Sequence, residues 1–376
     1  SNVISSVAQG TSSGYVSFAA ASTNYEIRSA TDGSLLASQA LSFTGGGQYT
    51  LAIVGRRAAL GLAALQEDTQ GPSSSANFRF RTDNFSNLGN LDVYFVAQSS
   101  LVPSTAATVA PIGTASLSGY SEVAAGSYQV VLTLAGSKEI VFESAAQNFA
   151  AGTSLTLAVA GGASSRLANV LVLTYGSSGT VTELSNLRSR IRAVHASPDA
   201  PLLAFLNGGV TTFSNVPFKA NSGYVTSASG ARQLDLQAFG VTSSAVASKT
   251  FTLAGGADYT IVAVNRFTAI DIARLDDNNL LPTTGKARVR FVNLNVDNAA
   301  VDVLANFSKS VSNLAYLGAS PYQELDAGNY AFAFNASNAN VVVATTDTLT
   351  LETGKVYTLF LFGTSTAADT RLVTDS

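Results

Sequence analysis

Arg288-Val289-Arg290-Phe291-Val292-Asn293 alternates charged with apolar residues. A period of two places Val289 and Phe291 on one face of a strand and Arg288 and Arg290 on the other. The expectation is a half-buried strand with its arginines toward water. The stretch has relatives upstream in Arg190-Ile191-Arg192-Ala193-Val194 and Asn77-Phe78-Arg79-Phe80-Arg81. Leu234-Asp235-Leu236-Gln237 and Tyr330-Ala331-Phe332-Ala333-Phe334 alternate in the same way.

Two further landmarks keep step with this strand. A tyrosine at a strand start recurs as Gly14-Tyr15, Gly119-Tyr120, Gly223-Tyr224 and Pro321-Tyr322. A Gly-rich turn before an apolar strand recurs at Gly45-Gly46-Gly47, Gly152, Gly255-Gly256 and Gly354. The step is about a hundred residues, the size of one sandwich domain. The opening strand occurs three times and the other landmarks four, and upstream of Tyr15 there is no room for a fourth opening strand. The fold class expected is all-β: tandem immunoglobulin-like β-sandwich repeats of about seven strands, three complete and one incomplete at the N-terminus. The boundaries fall at 1–75 (second half of a repeat only), 76–187, 188–285 and 286–376. Short linkers at Gly71-Pro72-Ser73, Ser185 to Ser189 and Pro282-Thr283-Thr284-Gly285 suggest a semi-rigid rod. Arg57 to Gln66 is rich in Ala and Leu and reads as helix on propensity. Its counterpart Ile270-Asp271-Ile272-Ala273-Arg274-Leu275-Asp276 alternates, so both are expected to be strands. The C-terminal Thr370-Arg371-Leu372 matches Ala273-Arg274-Leu275 and belongs to its own repeat.

The third repeat reads Arg190-Ile191-Arg192-Ala193-Val194-His195-Ala196-Ser197-Pro198-Asp199-Ala200-Pro201, then Ser214-Asn215-Val216-Pro217-Phe218 and Gly223-Tyr224-Val225. This resembles domain-of-unknown-function family 4397, found in exported bacterial proteins, often in tandem. The fourth repeat keeps the frame, with Asn293 and then Ala300-Val301-Asp302-Val303, but lacks the His, Ser and Pro. The second is more divergent and keeps Leu91-Asp92-Val93. The first matches through its second half only. The resemblance implies an exported β-sandwich and no particular activity.

Composition narrows the function classes. Of 376 residues, 46% are hydrophobic and only 12% charged, about half the usual charged share. The surface must be largely Ser, Thr, Asn, Gln and Ala. A net charge of −3 offers no basic face for nucleic acid or anionic lipid. Cys, Met and Trp are absent, so disulfides, thiolate metal sites and a Cys nucleophile are excluded. The missing Met points to a processed N-terminus, most simply export with signal-peptide removal. No apolar run reaches the ~20 residues of a membrane helix.

No catalytic, cofactor or metal residue emerges. His195 is the one histidine. Ser197 and Asp199 follow it too closely to build a triad, and the stretch reads as a turn. Asp276-Asp277-Asn278-Asn279 lacks the ligand spacing of a calcium loop and reads as a solvated hairpin tip, as does Glu67-Asp68 in the first repeat. The Gly-rich turns lie between strands, so they are hairpin devices and not phosphate loops. Tyr15, Tyr120, Tyr224 and Tyr322 read as strand-start core residues with a hydroxyl at the rim, in preference to a sugar platform. Asn84-Phe85-Ser86, Asn306-Phe307-Ser308 and Asn335-Ala336-Ser337 fit the N-glycosylation pattern, which is common by chance.

The chain is therefore expected to be secreted or on the cell surface, non-catalytic and without cofactors. Its partner is itself, polymerised head to tail, or other cell-surface components. The assembly face expected is the incomplete N-terminal repeat, where Phe18, Tyr25, Ile27, Leu51 and Ile53 lack part of their covering. The alternative is a cell-surface adhesin or ligand-binding array with the repeats as its stalk.

Overall fold

The computed structural model describes residues 4–56, 59–68, 70–97, 106–162, 164–175, 180–239, 244–337, 339 and 341–375. Among them the regular structure is β throughout, apart from one 3-10 turn at Phe267–Ala269. Two compact units form: Ser1–Gly162 with Leu167–Leu187, and Ala163–Arg166 with Arg188–Ser376.

The second unit shows the repeat in full. The strand Arg188–His195 lies between Val225–Ala228, antiparallel, and Asp258–Val264, parallel; Asp271–Asp277 completes this sheet. The facing sheet runs Val210–Val216, Leu203–Asn207, Gly230–Ala238, Ala247–Leu253. The next repeat copies both. Gln323–Asp326, Lys286–Asn295, Val356–Gly363 and Ala368–Thr374 form one sheet; Ser308–Ala315, Ala300–Ala305, Phe332–Ala336 and Val342–Thr345 form the other. Alternation fills each core from both sheets, with Ile191, Phe205, Leu236 and Ile261 in the first sandwich and Val289, Phe291, Val303, Phe334 and Leu359 in the second.

The recurrent turn has one design. Gly46, Gly152, Gly256 and Gly354 have φ of 77°, 76°, 76° and 78°, the left-handed region that glycine enters without Cβ strain. In three copies a tyrosine three residues on ties the turn back. The N–H groups of Thr44, Ala254 and Glu352 donate to the hydroxyls of Tyr49, Tyr259 and Tyr357 at 3.2, 2.8 and 3.0 Å.

In the first unit, residues 76–187 form a sandwich with an aromatic core of Phe78, Phe80, Phe95 and Phe149. Its opening strand Asn77–Asn84 again runs parallel to the strand after the Gly turn, Ser154–Gly161. Thr180–Leu184 adds an outer strand to that sheet. The N-terminal repeat consists of two hairpins, Ser22–Arg28 with Leu35–Ser42 and Tyr49–Arg56 with Ala59–Gln66. The Ala-rich stretch is thus a strand from Ala59, while Arg57 and Ala58 lie outside the described residues.

The C-terminal strand stays in its own repeat, but one residue away from the register expected of its sequence. Val373 stands opposite Thr358 as Leu275 stands opposite Thr260, so Asp375 corresponds to Asp277. The shared Arg-Leu pair suggested Leu372 as the match to Leu275. A slip of one exchanges the two faces of a strand.

Candidate functional site: the buried face between paired repeats

The arginines of the opening strands do not face water. Arg192 and Arg290 are each 1% exposed, and Arg190 and Arg288 are also buried. Alternation places Val289 and Phe291 in the sandwich core as expected, but the opposite face of the sheet is covered by the neighbouring repeat. Two repeats thereby pack sheet against sheet and are not strung as a rod. Val194, Val262 and Leu275 from one repeat meet Val292, Phe360 and Val373 from the other in a continuous apolar layer.

Within that layer four residue types form a reciprocal polar brace. Arg192 Nε donates to Thr260 Oγ1 at 2.7 Å, and Arg290 Nε to Thr358 Oγ1 at 2.9 Å, each within its own repeat. Each guanidinium then crosses to the other repeat. Arg192 Nη2 lies 2.7 Å from Asp375 Oδ1, and Arg290 Nη2 pairs with Asp277 Oδ1. The second oxygen of each acid is bonded from its own side. Asp277 Oδ2 accepts from Tyr224 Oη at 2.6 Å and Thr260 Oγ1 at 2.7 Å. Asp375 Oδ2 accepts from Tyr322 Oη at 2.9 Å and Thr358 Oγ1 at 2.6 Å. The tyrosine rings carry the guanidinium groups on their faces. Arg190 and Arg192 stand 4.7 and 4.8 Å from the Tyr224 centroid, and Arg288 and Arg290 both 4.9 Å from that of Tyr322.

Burial opposes the charge of Arg192, but Asp375 chiefly, with Tyr224 and Asp277, outweighs it and raises the pKa further. Burial likewise opposes the charge of Arg290, and Asp277 outweighs it. Tyr224 and Tyr322 are held protonated, first by burial and then, for Tyr224, by the nearby Asp277 carboxylate. The arrangement is a set of fixed donors and acceptors that bond one another.

The first unit carries half of this brace. Arg81 Nε donates to Thr156 Oγ1 at 3.0 Å, and its Nη2 reaches Gln66 O of the N-terminal repeat at 2.7 Å. Glu67 occupies the place of Asp277, accepting from Tyr15 Oη at 2.5 Å and Thr50 Oγ1 at 2.7 Å. At the other acid position stands Tyr175, uncharged, whose hydroxyl accepts from Arg81 Nη2 at 3.0 Å. Asp83 takes the place of Val194 and Val292 in the apolar layer, and burial raises its pKa to about 6 against the lowering effect of Arg81. Desolvation also pushes the Tyr120 hydroxyl up to about 12.

Two expectations change accordingly. Asp276-Asp277-Asn278-Asn279 is not a solvated tip, because Asp277 and Asn279 are buried. Asp277 takes the brace, Asn278 Oδ1 accepts from Arg288 Nη1 at 3.2 Å, and Asn279 Nδ2 donates to Asp258 Oδ2 at 2.7 Å. Glu67 is buried too, and Asp68 pairs with Arg79 at 2.8 Å. The recurrent tyrosines serve the face between repeats and not a sandwich core.

His195 is fully buried and does not meet Ser197 or Asp199 as a triad. Its Nδ1 accepts from Ser197 N–H at 3.3 Å, so Nε2 carries the proton and donates to Pro201 O at 3.0 Å. Asp199 Oδ1 accepts instead from Phe267 N–H at 2.7 Å. Asn84 and Asn293 occupy the corresponding places and do the same work. Each accepts through Oδ1 from the N–H two residues on, Ser86 and Asn295, and donates through Nδ2 to a loop carbonyl, Gly89 and Asn298. The histidine is a substitute for asparagine in a turn clamp. This use of Asn84 also closes one glycosylation pattern, and Asn306 Oδ1 is engaged by Ala331 N–H at 2.9 Å.

The five residues of the expected assembly face do not share one environment. Phe18 and Ile53 are exposed, Tyr25 and Leu51 half-buried, and Ile27 buried. Phe18, Tyr25 and Phe43 form edge-on ring contacts with centroids 5.3–6.1 Å apart. The residues that escaped the sequence reading are Arg192, Thr260, Arg290, Thr358 and Asp375. Their signal was polar identity repeated at one constant step through otherwise divergent copies.

No curated protein matches the chain. Among solved structures, the Bacillus anthracis TIE protein aligns at 11% identity with a TM-score of 0.17, over 86% of this chain and 59% of that one. The chain thus spans less than two thirds of that protein. The family model described as "Domain of unknown function (DUF4397)" matches residues 1–94, 189–303 and 295–376, most of the chain, and skips the greater part of the divergent second repeat. With the same sheet order on both sides of the brace, the chain belongs to the family of tandem domains of unknown function DUF4397.

Proposed function

We propose that the chain is a non-catalytic structural protein of the cell exterior, a subunit of a surface or matrix filament that assembles through its N-terminal repeat. The reciprocal Arg–Asp brace is the observation that carries this reading. A catalytic site needs acids, bases or nucleophiles with spare valence toward a substrate. Here Arg192, Arg290, Asp277, Asp375, their Tyr and Thr partners, and His195 are bonded to one another or to backbone. Their product is a pair of sandwiches locked face to face, which suits a stiff building block. The low charge and the uncharged polar surface suit close packing of many copies. The exposed Phe18 and Ile53 give the N-terminal repeat an apolar face for that contact.

The test is deletion of residues 1–75, with particle size followed by light scattering and electron microscopy. The intact chain is expected to form fibres and the truncated chain to remain dispersed. Fibres from the truncated chain would overturn the assembly role.

A ligand-binding array is the second reading, and one observation favours it. Equivalent hairpin tips in the third and fourth repeats present exposed apolar residues, Val210 and Phe307. Isolated stalks in electron micrographs of native surface material, in place of ordered fibres, would select it.

A further inference from the structure

Among the described residues, strand Tyr49–Arg56 pairs only with Ala59–Gln66. Its equivalents Ser154–Gly161, Asp258–Val264 and Val356–Gly363 each carry an opening strand in parallel on the other edge. Glu67 N–H bonds Gln48 O, so Thr50, Ala52 and Val54 turn their backbone groups toward Ala59–Gln66. Tyr49, Leu51 and Ile53 turn theirs to the open edge. In complete repeats the opening strand also pairs with the strand after the recurrent tyrosine, as in Ile191 with Val225 and Val289 with Gln323. Here Val16 to Ala19 follow Tyr15 and lie in no sheet. One strand position in this sheet therefore has neighbours for both its edges and no occupant among the described residues.

The complete repeats also define the chemistry of the occupant. At the register of Thr156, Thr260 and Thr358 the opening strand places Arg81, Arg192 and Arg290. Arg192 and Arg290 each need an acid on the partner repeat. The residue opposite Thr50 would instead face Tyr175, which has no charge and already accepts from Arg81. The position fits an uncharged strand.

The N-terminal segment is uncharged and lies outside every sheet among the described residues. Ser1 to Gly14 has no charged residue. Its described part, from Ile4, lies in no sheet and exposes Ile4 and Val7. In its own chain this segment is turned back by a bend, Thr11 N–H to Ala8 O at 3.2 Å, and Gly10 rests against Glu183 of the second repeat. Among the described residues, the segment pairs with no strand and the strand position holds none.

We propose that the segment around Ile4–Ala8 of a second copy of this chain adds as the missing strand, parallel to Tyr49–Arg56. Backbone hydrogen bonds to Tyr49, Leu51 and Ile53 hold it; Ile4 and Ala8, which share one face of the strand, cover the Phe18, Tyr25 and Phe43 cluster, and Val7 lies on the opposite face. Because donor and acceptor lie in the same repeat but on different surfaces, the contact is heterologous and propagates. The inference rests on the head-to-tail reading above.

The experiment mixes two full-length variants. Ile4→Asp with Val7→Asp disables the donor. Ile53→Pro removes an N–H from the open edge and leaves the bonds to Ala59–Gln66 intact. Each variant alone is expected at the mass of one chain. Mixed in equal amounts they are expected to give a particle of two chains that grows no further, while the unaltered chain polymerises. A peptide of sequence Ser1–Gly14 is expected to shorten the polymers. If the donor variant polymerises like the unaltered chain while deletion of residues 1–75 abolishes assembly, the strand exchange is wrong and the assembly role survives. If the deletion still assembles, the assembly role itself falls. A monomeric unaltered chain whose own Ile4–Ala8 amides are protected from hydrogen exchange would show closure within one molecule and overturn the proposal. Should Ile53→Pro misfold, the donor variant, altered outside every sheet, decides alone.

Discussion

Arg192 and Asp375 come from different repeats, lie 2.7 Å apart and are both sealed from solvent. Their mirror pair, Arg290 with Asp277, runs in the opposite direction across the same face. Removing two charges from water costs several kcal/mol per ion, and attraction returns this only where the other lone pairs and protons are bonded. The Tyr and Thr hydroxyls supply those bonds. The pairs therefore contribute less as net stabilisation than as a fixed register between two sandwiches whose apolar layer alone would tolerate sliding.

The first expectation follows from that asymmetry. Arg290→Ala strands Asp277 beside two donors in an apolar layer and should destabilise the second unit by about 3–5 kcal/mol. Arg290→Met with Asp277→Leu together should cost much less than the sum of the single changes. Denaturant unfolding of the four proteins of the cycle measures the coupling. Additive effects would show that the two side chains do not act as a pair.

His195 offers a second test. Asn84 and Asn293 hold the equivalent turns by the same acceptor bond from the N–H two residues on and the same donor bond to a loop carbonyl, with Nδ2 also donating to a second carbonyl, so His195→Asn should leave stability within about 1 kcal/mol of the parent. His195→Ala should cost about 1–3 kcal/mol, since Ser197 N–H and Pro201 O lose a buried partner. Burial lowers the histidine's pKa. A base lowered on folding contributes stability above its unfolded value of about 6.5 and loses it as pH falls through the folded value. Thermal melts of His195→Asn should lack that loss. A melt unchanged in shape between the two proteins would contradict the buried, neutral assignment.

Sequence alternation disclosed the strands, the cores and the repeat length, because period two and the Gly turns are local properties. It could not disclose the brace. Alternation in Arg288-Val289-Arg290-Phe291 says which face is polar, and nothing local says whether a polar face meets water or another sheet. The same limit turned Asp276 to Asn279 into a solvated tip, since only the opposing Arg290 reveals what Asp277 is for. The C-terminal strand shows a different failure. Matching Arg371-Leu372 to Arg274-Leu275 is the better identity, but Thr358 fixes Val373 opposite itself, and the pleat makes one residue decisive.

Asp83 carries the third expectation. It stands where the second unit has Val194 and Val292, and burial raises its pKa to about 6 from 3.8. An acid raised on folding contributes stability that is present below the unfolded value and lost as pH rises through about 6. Asp83→Asn should accordingly stabilise the first unit at pH 7 by about 1–3 kcal/mol and flatten its pH dependence between roughly 4 and 6. Unfolding curves at three pH values read this. An equal gain at pH 4 and pH 7 would mean that ionisation of Asp83 is not the cause.

Phe307 gives the last. It sits at the tip of the hairpin between Ala300–Ala305 and Ser308–Ala315, 94% exposed, with φ of 68°. The preceding Asn306 has φ of 47°, so both central residues are left-handed, as a two-residue hairpin turn of matching twist requires. The third repeat meets the same requirement with Gly208 and Gly209, at 59° and 79°. A phenylalanine there bears a backbone strain of about 1–2 kcal/mol and buries nothing in return. Asn306 is well suited, since its N–H donates to Ala331 O and its Oδ1 accepts from Ala331 N–H, both at 2.9 Å. The strain therefore falls on the exposed aromatic at the tip. Phe307→Gly should raise the unfolding midpoint. The gain should be about 1 kcal/mol once the greater freedom of glycine in the unfolded chain is set against the relieved strain. A more stable variant that no longer binds native surface material would identify Phe307 as a contact residue kept at the expense of stability and would favour the binding-array reading. A less stable variant would show that the ring packs against its own hairpin and that the strain argument fails.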